Sequence, residues 1–114
     1  MDKPKIEPGK NIAMKVPSFK WAETVSFYRD KVGLRQTRKT PNSIAFEFGA
    51  MTLWIDRVEK QSQTDIWLEL FTPSPDEALL ALGGPARDEL EEIEDNNGRW
   101  TSDPAGVVLL LRDE

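Results

Sequence analysis

The sequence contains no cysteine and no histidine among its 114 residues. Without cysteine there is no disulfide framework, no thiolate nucleophile and no cysteine-based zinc site. Without histidine the chain lacks the commonest general base and the commonest protein ligand for zinc, iron or copper. Catalysis or metal binding that needs either side chain from this sequence is therefore excluded.

Long apolar runs and an excess of basic charge are also missing. No apolar stretch reaches the ~18 residues of a transmembrane helix, and the first residues, Met1–Lys5, lack the apolar segment of a secretory signal. Basic residues number 15 and acidic residues 20, so the net charge is −5, unlike the basic footprint of a nucleic-acid binder. We therefore expect a cytoplasmic protein that binds neither membranes nor nucleic acid.

The residues that are present indicate one globular domain. The length fits a single domain, and four tryptophans, five phenylalanines and one tyrosine are too many aromatic residues for a solvated, disordered chain. The first ten residues are polar and contain Pro4, Pro8 and Gly9. They predict a flexible arm over residues 1–10, followed by one domain over residues 11–114.

The first half of the domain has the pattern of a strand, a helix and three strands. Polar and apolar residues alternate over Asn11–Val16, which predicts a strand. Apolar residues recur at helical spacing over Lys20–Val32, with Ser18 as the predicted N-cap and Gly33 as the predicted helix end. Three further strands are predicted over residues 34–40, 43–48 and 51–57.

The second half repeats this order. A strand over residues 65–72 precedes a helix over residues 75–82, which is marked by the capping box Ser74–Glu77, by Pro75 at the first helical position and by Gly83 at the end. Two later strands are predicted over residues 99–101 and 107–112.

The segment between the predicted helix and these two strands, residues 87–95, is helical by local propensity, but the repeat predicts a strand. We therefore expect two βαβββ modules, residues 11–59 and 65–114, related by internal duplication.

Two motifs resemble a known family. Val25–Leu34 (VSFYRDKVGL) resembles the first-helix motif FYRDxLGL of the vicinal oxygen chelate superfamily, which includes glyoxalases, bleomycin-resistance proteins and extradiol dioxygenases. Asp103–Gly106 (DPAG) resembles the family's DPxGN turn, although Val107 replaces its asparagine. The resemblance covers residues 10–112. It implies an α+β fold of two tandem βαβββ modules that form an incompletely closed barrel with a cavity, and it implies a homodimer.

The resemblance also implies where metal ligands would lie. Metal-dependent members carry histidine or carboxylate residues at the positions of Asn11, Trp54, Asp65 and Leu110. None of these four is histidine and two are apolar, whereas a catalytic divalent site usually needs at least three protein ligands. We therefore expect no metal and no other cofactor, as in the metal-free branch, where bleomycin-resistance proteins are acidic dimers that sequester a basic antibiotic.

Strand alternation divides the side chains between two faces. The face expected to pack against helices carries Ile12, Met14, Val16, Ile66, Leu68, Leu70, Leu109 and Leu111. The face expected to line the cavity and to bind ligand carries Asn11, Ala13, Trp54, Asp65, Trp67, Glu69, Phe71, Trp100 and Leu110. Aromatic rings together with carboxylates suit a cationic or planar aromatic small molecule.

Other interpretations of the same residues stay open. Trp54, Trp67 and Phe71 would then fill the barrel, and the carboxylates would pair with Lys15 or Arg112. In that case the chain is a non-catalytic family member with a structural or protein-interaction role.

A metal-independent isomerase or hydrolase would use Asp65 or Glu69 as its base. The Cα atoms of these two residues lie ~13 Å apart on an extended strand, too far for a directly coupled pair. The acidic run Asp88–Asp95 is interpreted as a solvated edge.

Overall fold

The computed structural model describes residues 3–93 and 97–114. Its elements in chain order are β1 (Glu7–Pro17), α1 (Ser18–Ser26), a π-helical turn (Phe27–Val32), β2 (Gln36–Lys39), β3 (Ser43–Phe48), β4 (Met51–Val58), β5 (Asp65–Phe71), α2 (Pro75–Leu82), β6 (Gly98–Ser102) and β7 (Val108–Arg112). The chain divides into two compact units: the first unit is Lys10–Ile66, and the second is Met1–Gly9 with Trp67–Glu114. No helix within the described residues is long and apolar enough to cross a membrane.

The first unit has the predicted βαβββ order. Its strands lie in the order β2-β3-β4-β1, with β1 parallel to β4 and the other neighbours antiparallel. One face of this sheet packs against α1 and the π-helical turn, and the core consists of Val16, Val25, Ile44, Phe46, Leu53 and Ile55. Ile12 and Met14 pack against this core, as the alternation predicts, because burying the apolar face removes it from water.

The first helix begins at Ser18, the residue that the sequence predicts as its N-cap. Pro17 is the N-cap residue and Ser18 is already helical, with a buried hydroxyl that has no hydrogen-bond partner among the described residues. The prediction that Ser18 caps the helix is therefore wrong, because a residue inside the first turn cannot accept from the following amides as an N-cap does. Gly33 has φ +84° and ends the helical segment as predicted.

The second unit has the strand order β5-β7-β6, with β5 parallel to β7 and β6 antiparallel to β7. Helix α2 has the predicted bounds and buries Ala78 and Leu79 against Leu111, with Leu70 packed at the edge of this cluster. The predicted packing of Leu111 and Leu70 against a helix is thus confirmed.

The segment predicted as a strand over residues 87–95 is not one. Residues 87–93 form turns and irregular structure, and residues 94 and 95 lie outside the described residues. Among residues 87–93, the amide of Arg87 donates a hydrogen bond to the carbonyl oxygen of Trp100 in β6 (3.0 Å). The acidic side chains explain the difference, because like charges along an edge strand would repel and need water.

Two other predicted positions differ. Strand β1 begins at Glu7, so residues 7–10 belong to the strand rather than to the predicted arm.

Ile66 and Leu68 are 42% and 39% exposed instead of packing beneath a helix. Leu68 lies outside the cluster that α2 forms with Leu111, against which Ile6 and Leu70 pack.

Candidate functional site

The face of the second unit opposite α2 carries most of the residues that the sequence proposes for the cavity. Glu69, Leu110 and Trp100 pair in one row across β5, β7 and β6. Trp67 and Phe71 flank Glu69 at a spacing of two along β5, so they share its face. The structure therefore brings these five residues to one face, whereas Leu68 and Leu109 lie on the other.

Two tryptophans meet on this face. The rings of Trp67 and Trp100 lie edge to face, with their centroids 5.1 Å apart and an interplanar angle of 69°. Trp67 is 8% exposed, whereas Trp100 is half-buried. Such a pair contributes ~1 kcal/mol beyond its buried area. Trp67 thus packs as a core residue, which leaves Trp100 as the accessible ring of the pair.

Glu69 is already paired within the protein. Its side chain is 5% exposed, and Arg112 Nη1 lies 3.8 Å from Glu69 Oε2. The backbone of Gly9 lies against the same side chain, since a Cβ atom built on Gly9 would be 2.6 Å from Glu69 Cγ. Of the alternatives that the sequence leaves open for Glu69, the structure therefore has the one in which Glu69 pairs with Arg112.

A cavity of about 250 Å³ adjoins Trp100. It is lined by Asp88, Leu90, Glu91, Glu92, Ile93, Gly98, Arg99 and Trp100, and we call it the acidic pocket. The indole N–H of Trp100 donates to the backbone oxygen of Glu91 over 2.7 Å. This bond fixes the ring against the segment that carries the carboxylates.

Arg87 anchors the acidic segment to the sheet. Its guanidinium donates to the hydroxyl of Ser102 (2.6 Å) and to a carboxylate oxygen of Glu89 (2.6 Å). The hydrogen bond from Arg87 holds the pKa of Glu89 below its ordinary value. Because Glu89 is bonded to Arg87, its charge is largely compensated.

The remaining charges make the pocket acidic. Arg99 lies 2.7 Å from Asp76 and 3.5 Å from Asp88, and the hydrogen bond that Arg99 donates to Asp76 raises the pKa of Arg99. Within residues 3–93 and 97–114, Glu92 forms no ion pair. A cation that enters the pocket would therefore meet carboxylate charge beside an aromatic ring.

Sequence reasoning did not place Asp88, Glu91 and Glu92 at a site. They belong to the run interpreted as a solvated edge, and no local pattern distinguishes a solvated run from one that folds back beside a tryptophan. The contact depends on the path of an irregular segment, which local propensity does not define.

In the first unit the structure joins two of the proposed residues. The indole N–H of Trp54 donates to the side-chain oxygen of Asn11 over 2.9 Å. Trp54 is half-buried, and Asp65, at the start of β5, is exposed. Asn11 therefore orients the Trp54 ring, and its amide oxygen is engaged in that bond.

Lys15 and Asp56 form a nearby polar cluster that the sequence does not single out. Lys15 Nζ lies 2.7 Å from Asp56 Oδ2, and these side chains are 5% and 17% exposed. Ser43 donates to the other carboxylate oxygen over 2.7 Å. The pair lies one row beyond Trp54 in the strand register, on the face opposite the core.

Comparison with known proteins adds information on the fold. No protein-family model and no curated protein matches the chain. Solved structures of homoprotocatechuate 2,3-dioxygenase, an extradiol dioxygenase, do match. A variant of the Brevibacterium fuscum enzyme in complex with HPCA has 18% identity and a TM-score of 0.66, over 98% of this chain and 33% of the enzyme. The Arthrobacter globiformis enzyme has 22% identity and a TM-score of 0.64, over 98% and 37%.

The chain has the α+β fold of these dioxygenase structures, which is consistent with a vicinal oxygen chelate βαβββ fold. At these identities the similarity concerns the fold alone, and the chain spans about a third of the length of the dioxygenases it matches. The α+β class and the fold expected from the two sequence motifs are thereby confirmed.

The family that the sequence motifs resemble includes metal-dependent enzymes, but the residues at the positions where the resemblance places metal ligands do not fit a metal ion. Trp54 and Leu110 have no lone pair to offer a cation, and Asn11 uses its oxygen to orient Trp54. Within the described residues no three carboxylate, histidine or cysteine side chains form a group suited to a metal ion. A divalent site needs about three protein ligands, so we derive no metal-dependent step.

Proposed function

We propose that the chain binds a small cationic aromatic molecule in the acidic pocket without a metal ion. The observation that carries this proposal is the position of Trp100. Its ring lines a cavity of about 250 Å³ together with Asp88, Glu91 and Glu92, and its N–H group is bonded to the segment that carries these carboxylates.

The chemistry of the pocket defines the ligand class. A cation over a tryptophan face gains ~0.5–2 kcal/mol, the larger values applying when the contact is desolvated. The carboxylates add charge attraction, and Leu90 and Ile93 provide apolar wall. The volume is at the lower limit of small-molecule sites, ~300–1,000 Å³, so the pocket suits one ring system or the aromatic cation of a larger molecule.

Sequestration of a basic aromatic compound is the role that this site supports. Bleomycin-type resistance proteins, which the sequence motifs resemble, are the model for such a role. The carboxylates of this pocket differ from those expected from the sequence. Asp65 and Glu69 do not line it, and Glu69 is paired with Arg112; the carboxylate assigned to the ligand cation is that of Glu92, beside Asp88 and Glu91.

Isothermal titration calorimetry tests the proposal with matched probes. We expect 1-methylquinolinium to bind at one site per chain and neutral quinoline to bind about tenfold more weakly at pH 7.5. Bleomycin serves as the larger probe.

Glu92→Gln should weaken methylquinolinium binding about threefold or more, while the exposed control Glu23→Gln leaves it unchanged. Equal affinity for the charged and neutral probes, or no saturable heat with either, would contradict the proposal.

We also propose that the chain forms a homodimer. Leu80 and Leu82 on α2 are 82% and 47% exposed, and Leu68 is 39% exposed, so the second unit has apolar side chains for a second copy to cover. Light scattering during size-exclusion chromatography should give twice the chain mass, and Leu80→Glu should shift it toward the monomer. A monomeric mass at high micromolar concentration contradicts this proposal without affecting the pocket.

A further inference from the structure

A β-bulge in strand β2 determines where Arg38 lies. Gln36 pairs with Phe46, but the register then shifts, and Arg38 rather than Thr37 pairs with Ala45. In a regular strand Gln36 and Arg38 would share a face. The extra residue, Thr37, therefore moves Arg38 from the core face, where Phe46 lies, to the face of Ala45 and Trp54.

The row that receives Arg38 is built around a tryptophan. Ala13, Trp54, Ala45 and Arg38 pair side by side across β1, β4, β3 and β2. The two alanines on either side of Trp54 are small, so the longer Arg38 side chain reaches across Ala45. Its guanidinium carbon lies over the Trp54 ring, 5.8 Å from the centroid.

The guanidinium of Arg38 is available to a ligand, because arginine presents several N–H donors and this contact with the ring uses none of them as a hydrogen bond. In the part of the chain that the structure describes, Arg38 has no ion pair. The Trp54 ring is held in place by its bond to Asn11, so the aromatic side of the site is preorganised.

The other charges on this face are compensated locally. Lys15 is paired with Asp56 at 2.7 Å, and Ser43 donates to the same carboxylate. In the row on the other side, Glu47 lies 3.6 Å from Arg35. The uncompensated charge beside Trp54 is therefore positive, opposite in sign to the acidic pocket.

We propose that Arg38 and Trp54 form a second ligand site, which takes an aromatic carboxylate. The carboxylate accepts two N–H bonds from the outer edge of the guanidinium, a geometry that arginine provides in bidentate form. The flat ring of the ligand packs on the exposed part of the half-buried Trp54 ring. The bulge at Thr37 is the structural device that brings the charge to the ring.

Calorimetry with 2-naphthoate tests this site in the intact chain. We expect saturable binding, which Arg38→Gln weakens about tenfold through loss of the charge-assisted bonds. Arg38→Lys should recover only part of it, because lysine keeps the charge but lacks the planar fork. The matched control is Arg57→Gln, an exposed arginine of β4 whose side chain alternates to the face opposite Trp54; it should change the affinity by less than about twofold.

Three outcomes would overturn the proposal. Neutral 2-naphthamide binding as tightly as 2-naphthoate would eliminate the role of the carboxylate. Acetate competing at the same concentration as 2-naphthoate would eliminate the role of the ring. Equal effects of Arg38→Gln and Arg57→Gln would show that only the overall charge matters.

The site is separable from the acidic pocket. Glu92→Gln should leave 2-naphthoate affinity unchanged, and Arg38→Gln should leave 1-methylquinolinium affinity unchanged. If each variant alters both ligands equally, the two sites are not distinct and this inference fails.

Discussion

Trp100 and Glu91 are joined by a hydrogen bond from the indole N–H to a backbone oxygen, 2.7 Å long. The backbone oxygen of Trp100 also accepts a hydrogen bond, over 3.0 Å, from the amide of Arg87. Trp100 in β6 is thus bonded to the irregular acidic segment at two residues, Arg87 and Glu91, and it also lines the pocket. The position of the carboxylates depends on this residue.

Replacing Trp100 with phenylalanine should therefore loosen the segment while keeping an aromatic ring. We expect the amide of Arg87 to exchange with solvent faster, and the free energy of unfolding to fall by about 1–2 kcal/mol from the lost hydrogen bond and volume. Hydrogen exchange measured by NMR checks the first effect, and urea unfolding the second. Unchanged exchange at Arg87 would show that Trp100 does not anchor the segment.

Trp67→Ala should be mainly a stability variant. The side chain is 8% exposed, and truncating a buried tryptophan costs about 3–5 kcal/mol. Phe19→Ala is the control, because Phe19 is 71% exposed and surface substitutions change stability by about 0.5 kcal/mol or less. Urea unfolding of both variants distinguishes them. A Trp67→Ala protein of native stability that fails to bind methylquinolinium would instead give Trp67 a direct ligand role.

Asp56→Ala should destabilise the first unit strongly. It would leave the buried ammonium of Lys15 without its carboxylate, and breaking a buried pair costs about 3–5 kcal/mol. Glu23→Ala removes a comparable contact to Lys20, but those side chains are 57% and 68% exposed, so the expected loss is below about 1 kcal/mol. Thermal unfolding monitored by circular dichroism compares them. Equal losses would show that burial of the Lys15 pair has no energetic consequence.

The carboxylate of Glu89 should titrate below its ordinary range. Its folded-state pKa is lowered by the hydrogen bond from Arg87, so the stabilisation from this contact is present above the unfolded-state pKa. It is lost as the pH falls through the folded-state pKa.

Carboxyl ¹³C NMR of Arg87→Gln should show the pKa of Glu89 rising toward its ordinary value. The pKa of Asp30, which is lowered by Arg29, should not change and serves as the internal control. A Glu89 pKa that is the same with and without Arg87 would contradict the assigned cause.

The purified protein should carry no stoichiometric zinc, nickel, iron or manganese. The positions where the sequence resemblance places metal ligands carry Asn11, Trp54, Asp65 and Leu110, which together offer too few donors. Elemental analysis after dialysis measures this directly. One tightly bound ion per chain would contradict the donor argument.

The sequence by itself determined the elements whose signals are local. Helix α2 lies between Pro75 and Leu82 as predicted, because proline favours the first helical position and Gly83 adopts the positive φ of +70° that ends a helix. Alternation assigned Met14 and Val16 to the core face, since successive side chains of a strand point to opposite sides. Because the chain has no histidine and no cysteine, the chemistry of these two side chains is excluded whatever the fold.

The tertiary structure alone decided where charge meets aromatic surface. A one-residue bulge reversed the face of Arg38, and a single strand residue, Trp100, fixed the acidic segment that the repeat predicts as a strand. Arg112 forms an ion pair with Glu69, the carboxylate that alternation assigned to ligand binding. The physical reason is that register shifts, irregular segments and ion pairs depend on partners distant in the chain, so the residues themselves carry no local signal for them.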